Sequence, residues 1–157
     1  MSIEQLVATV RTFDGVLVLA PDSTSGFPEI AWGDYFFYYA PDGEVPQNEQ
    51  PFATIVTKDY PDDAMSVLDA DGRFRVNIHV GGALFEELTG ESPRAFAASE
   101  PGAHDFSAVD QVLPHPVYGA LGWVSVVTPS EAVTDRVVEL LQVAHAAAVA
   151  RATRRSS

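Results

Sequence analysis

The stretch Arg73-Phe74-Arg75-Val76-Asn77-Ile78-His79-Val80 decides the fold. Phe74, Val76, Ile78 and Val80 alternate with Arg73, Arg75, Asn77 and His79. A period of two is that of a β-strand whose two faces meet different surroundings. Asp71-Gly72 leads into it, and Gly81-Gly82 separates it from the next segment; glycine pairs of this kind mark turns. The rest of the chain must therefore supply strands beside this one and a layer to cover its apolar face.

Working outward, Val16 to Ala20, Ile30 to Tyr39, Phe52 to Lys58 and Trp123 to Val127 read as further strands, the second kinked at Gly33. Pro21 to Pro28 is a loop, and Pro41-Asp42-Gly43 opens a long exposed turn. Asp59 to Asp63 ends its strand and caps a short helix through Leu68, while Ala83 to Leu88 forms another. A loop then runs through Gly102, and His104 to Val112 adds a helical turn or two.

Both ends of the chain are helical. Ser2 and Gln5 have capping-box spacing ahead of Ile3, Leu6, Val7 and Val10. Near the other end, Thr128 is placed as N-cap, Pro129 as the first helical residue and Glu131 as the capping acid. Val133, Val137, Leu140, Leu141, Ala144 and Ala148 then form one apolar stripe. The helix is expected to end near Ala150, leaving residues 151–157 as a basic, disordered tail. No helix between consecutive strands is long enough for a parallel crossover, so the sheet should be mainly antiparallel. The fold class is α+β: a two-layer sandwich of one sheet with both terminal helices on one face, a single domain over residues 1–150.

Composition narrows the function classes. Hydrophobic residues make up 46% of the chain, enough for a core, and the 20% charged fraction is too low for a disordered chain. Cysteine is absent, which excludes disulfides, thiolate metal sites and a cysteine nucleophile. A cytoplasmic location is the simplest fit, with no secretory signal pattern at the N-terminus and no apolar run long enough to span a bilayer. The net charge is −13 and Lys58 is the only lysine, so phosphate backbones and anionic membranes would be repelled.

Four blocks carry a resemblance: Glu29 to Gly43, Pro51 to Pro61, Phe74 to Gly81 and Leu113 to Pro129. Together they resemble an uncharacterised actinobacterial domain family, DUF6194. More distantly, His115, Trp123 and the helix from Val133 resemble the MmcQ/YjbR-like proteins. That likeness implies a CyaY-like α+β fold and the DNA-binding role suggested for the group, a role that the acidity of this chain opposes.

The residues that could carry chemistry begin on the polar side of the opening strand. Arg75, Asn77 and His79 project from one face about 7 Å apart. A cation, an amide and an imidazole in a row could bind a carboxylate or phosphate, although a solvated sheet face is the simpler account. Lys58, at a strand end, could anchor an anion or simply reach water. Trp32, between Glu29 and Asp34, could line a sugar or cation site, against a simpler role in the core. His115 is held between Pro114 and Pro116 and could share a pocket with Tyr118 and His79. No metal-ligand spacing, nucleophile elbow or phosphate-binding glycine loop occurs, so no metal or cofactor is expected. The reading reached is a non-catalytic binding module for a small anionic metabolite or a protein partner, with a homodimer compatible. The alternative is a small enzyme using His79 or His115 as general acid–base, with Arg75 or Lys58 holding an anionic substrate.

Overall fold

A computed structural model describes residues 2–100 and 102–156. Its frame is a six-stranded antiparallel sheet: β1 (Val16–Leu19), β2 (Tyr35–Tyr39), β3 (Ala53–Val56), β4 (Arg75–His79), β5 (Leu113–Pro114) and β6 (Trp123–Val127). The spatial order is β1-β2-β3-β4-β6-β5, so the strand that decides the fold is also central. Pro114, which has no N–H to donate, sits on the outermost strand, where a missing donor costs least.

Four helices accompany the sheet: α1 (Ile3–Val10), α2 (Gly82–Thr89), α3 (Pro93–Ala97) and α4 (Glu131–Ser156). α1 opens with the expected reciprocal cap between Ser2 and Gln5. Leu6, Val7 and Val10 of α1 and Val137, Leu140, Leu141 and Ala144 of α4 form one core with Phe37, Ile55, Val76, Ile78, Val124 and Val126 of the sheet. All these sheet residues have the same parity in the register, so one face of the sheet is apolar throughout. The α+β architecture with terminal helices on one face is therefore as the residue pattern predicts. No helix among the described residues is long and apolar enough to cross a membrane.

Several local expectations are corrected. Glu29–Ala31 is a short 3-10 turn, and Gly33, at φ +87°, makes a break, so β2 starts only at Tyr35. No helix follows Asp59. Residues 59–73 form instead a pinned loop in which Asp59 accepts from the Leu68 N–H (2.8 Å) and Asp69 from the Asp59 N–H (3.0 Å). These carboxylates serve loop N–H groups rather than a helix end. The Arg73 guanidinium donates to the carbonyls of Ser66, Val67 and Ser107, tying this loop to the segment before β5. That segment, 104–112, holds no helix, whereas the preceding loop contains α3, capped by Ser92.

Thr128 does not cap α4. It stands at φ +45° and exchanges hydrogen bonds with Phe74 at the start of β4. Ser130 caps instead, accepting from the Ala132 N–H and itself held by Asp110. α4 also runs through the predicted basic tail to Ser156, with Arg155 paired to Glu49 at 2.9 Å; Ser157 lies outside the described residues.

Candidate functional site

Register places a second set of side chains on the opposite face of the sheet. Phe36, Thr54, Asn77 and Ser125 stand side by side across β2, β3, β4 and β6, and Val56, Arg75 and Val127 form the next row. This outer face is not a solvated one. Arg75 and Asn77 are each 2% exposed, and the 59–73 loop covers their end of the sheet, packing Leu68 and Tyr60 on Val56 and Val127.

A buried guanidinium and amide must be hydrogen-bonded to be tolerated there. Arg75 Nε donates to Asn77 Oδ1 (2.7 Å), and Nη1 donates to Asp63 Oδ1 (2.9 Å) and Ser66 Oγ (3.0 Å). Nη2 donates to Asp63 Oδ2, completing a two-pronged ion pair. Asn77 donates onward to Thr54 Oγ1 (2.9 Å) and accepts from Ser125 Oγ (2.9 Å). Burial pushes the Asp63 carboxyl up, but the guanidinium, by hydrogen bond and charge, holds it below the usual carboxylate range.

His115 joins this network from a loop whose shape its neighbours set. Pro114 ends β5, and the His115 N–H bonds the Trp123 carbonyl (3.0 Å) while its carbonyl accepts from Gly119 (2.9 Å). Gly122, at φ +86°, brings the chain back into β6 so tightly that a Cβ there would lie 3.0 Å from Gly81. The ring is 3% exposed. Its Nδ1 accepts from the N–H groups of Val117 and Tyr118, each at 3.0 Å, and its Nε2 lies 3.3 Å from Arg75 Nη2. Burial first, then the Arg75 charge, pushes its pKa down to about 3, with Asp63 opposing.

A cavity of about 460 Å³ lies over this network. Its floor includes Thr54, Asp63, Arg75, Asn77 and His115, and its walls include the rings of Phe36, Tyr38, Tyr60, Tyr118 and Trp123. Tyr118 and Leu121 are 48% and 66% exposed, and they mark its rim. Arg75, Asn77, His115 and Tyr118 thus line one cavity, without the His79 expected to share it.

His79, Lys58 and Trp32 are not among the cavity's lining residues. His79 stacks on Trp123 with ring centroids 5.2 Å apart, half-buried, and burial lowers its pKa. Lys58 Nζ donates to the Trp32 carbonyl (2.8 Å) and to Asp34 (2.9 Å), a wholly buried carboxylate. Asp34 also accepts from the Thr57 N–H and hydroxyl, each at 2.8 Å, and from the Tyr60 hydroxyl, whose pKa burial and Asp34 raise. Lys58 therefore locks the 29–34 turn to the end of β3. Trp32 donates its indole N–H to the Phe27 carbonyl (3.0 Å), in the loop just before that turn.

Asp63, Ser66, Thr54 and Ser125 carry the network but do not stand out in the sequence. Thr54 and Ser125 become visible only once the strands are aligned, since each lies directly beside Asn77. Asp63 comes from a loop with no periodicity to place it. Among the described residues, no group of three or more His, Asp or Glu is placed to hold a metal ion.

Residues 1–157 match the model of a family of unknown function, DUF6194, and the chain belongs to that family. No curated protein and no solved structure matches it.

Proposed function

For this member of a family of unknown function, we propose a non-catalytic binding role, with a small, largely apolar and uncharged molecule seated in the cavity on the outer face of the sheet. The observation that supports it is the character of the floor. Its single cation, Arg75, is already neutralised by Asp63, and its imidazole is held neutral. An anionic ligand would meet the carboxylates of Asp63 and Asp62, on a chain of net charge −13. Apolar aromatic walls around a few fixed polar groups are the usual composition of a small-molecule site.

Acid–base catalysis draws little support from a ring that stays neutral down to about pH 3. A DNA-binding role of the kind suggested for MmcQ/YjbR-like proteins is opposed by the acidic surface.

Thermal unfolding against neutral aromatic fragments, sugar phosphates and carboxylates tests the reading. A ligand at a hundred times its Kd should add about 2.7 kcal/mol of stability, a shift of several degrees. Neutral aromatic fragments should give the shifts, and Tyr118→Ala, at the exposed rim, should reduce them. Shifts confined to anions, or unchanged in Tyr118→Ala, would refute it.

A further inference from the structure

We propose that the cavity selects an uncharged aromatic compound bearing a carbonyl oxygen, and that this oxygen accepts hydrogen bonds from both His115 Nε2–H and Arg75 Nη2–H. The inference rests on the cavity being a ligand site. It names which chemistry that site recognises.

The argument begins with the tautomer of His115. Two backbone N–H groups, those of Val117 and Tyr118, point at Nδ1. Backbone amides are donors only, so Nδ1 must present its lone pair. A neutral ring with an unprotonated Nδ1 carries its hydrogen on Nε2. A protonated ring would aim an Nδ1–H at two other hydrogens. The Nε2–H tautomer is thus fixed by the fold of the 115–118 turn.

Nε2–H then faces Arg75 Nη2 at 3.3 Å, and a guanidinium nitrogen is likewise a donor with no acceptor capacity. Nη2 has two hydrogens, of which one goes to Asp63 Oδ2. Two N–H donors consequently meet at the 3.3 Å contact, where neither nitrogen has a lone pair to offer the other. Both side chains are at least 97% buried, at 2% and 3% exposure, and both line the cavity floor. Buried donors left unsatisfied carry a desolvation cost, which an acceptor atom from a ligand would remove. A carboxylate would serve as acceptor but would meet Asp62 and Asp63. A carbonyl oxygen supplies the lone pairs without the charge, while its aromatic body fills the space between Phe36, Tyr38 and Trp123.

The full chain is titrated with acetophenone, with isopropylbenzene, which has similar shape and no acceptor, and with benzoate. Binding is read from tryptophan fluorescence in a Trp32→Phe background, leaving Trp123 as reporter, and from NMR of the imidazole nitrogens. Acetophenone should bind at least about tenfold more tightly than isopropylbenzene, and benzoate should bind no better than isopropylbenzene. The preference should vanish in His115→Phe. In the unsubstituted protein, NMR should report the Nε2–H tautomer at neutral pH, with its proton signal moved by acetophenone and not by isopropylbenzene, a result independent of whether His115→Phe folds. Equal affinity for acetophenone and isopropylbenzene would leave the ligand pocket standing and overturn the carbonyl anchor. Tightest binding by benzoate, or an Nδ1–H tautomer, would overturn it too. If none of the three perturbs Trp123 or His115, the pocket reading itself fails, and the anchor with it.

Discussion

The two faces of β4 are both buried, but by different means. On one face, Val76 and Ile78 are wholly buried in an apolar cluster with the terminal helices. On the other, Arg75 and Asn77 are almost as deeply buried, in a hydrogen-bond network with Asp63, Ser66, Thr54 and Ser125 from the neighbouring strands and loop. The apolar face tolerates changes of shape at a graded cost. The polar face behaves as a unit, because removing one member leaves its partner charged or unpaired. A strand with alternating polarity can thus be sandwiched between a core and a site rather than between a core and water.

Replacing Arg75 puts the largest strain on this contrast. Arg75→Ala should cost about 3–5 kcal/mol in urea denaturation, since it strands Asp63 with its charge. Arg75→Met combined with Asp63→Leu should cost less than the single change. A double variant as unstable as Arg75→Ala would mean that packing, not charge pairing, holds the outer face. On the apolar face, Ile78→Ala should cost roughly 3 kcal/mol by leaving a cavity, and Ile78→Val only about 1 kcal/mol, a graded response measured in the same way.

Acid should separate the faces further. The folded pKa of His115 lies near 3 and its ordinary value is 6.5, so the unfolded chain binds the extra proton first. Stability should therefore fall as pH drops from about 6.5 toward about 3, by at most about 1.4 kcal/mol per unit from this group. Asp63, held low by Arg75, loses its contribution in the same direction as acid protonates it. His115→Gln should flatten the profile between neutral and mildly acidic pH, whereas Ile78→Val should leave its slope unchanged. The smallest effect belongs at the edge of the core: Ser2→Ala removes the α1 cap and should cost about 0.5 kcal/mol, seen as a small drop in Tm.

Much of the frame was legible from residues. Phe74 to Val80 carries its period of two openly, and the stripe from Val133 to Ala148 its helical period, because each pattern is local and repeats. Elements set by distant partners were harder. Thr128 looks like an N-cap and instead binds Phe74, and Asp59 looks like a helix start and instead ties its loop to Leu68. At the candidate site, strand parity groups Arg75 and Asn77 with His79, yet the cavity takes the first two with His115 and Tyr118 and leaves His79 outside its lining. Lys58 stands at a strand end, where a lysine could anchor an anion, yet it holds Asp34 and the Trp32 carbonyl.

The sequence by itself determined which faces exist: alternation and helical periodicity assign each side chain to a side, since they follow from backbone geometry alone. Only the tertiary structure decided what covers the polar side. The loop carrying Asp63 and Ser66 and the turn carrying His115 meet over β4 through contacts between residues far apart in the chain. That meeting turns a row of polar residues into a floor, because a buried charge persists only where the fold brings its partner to it.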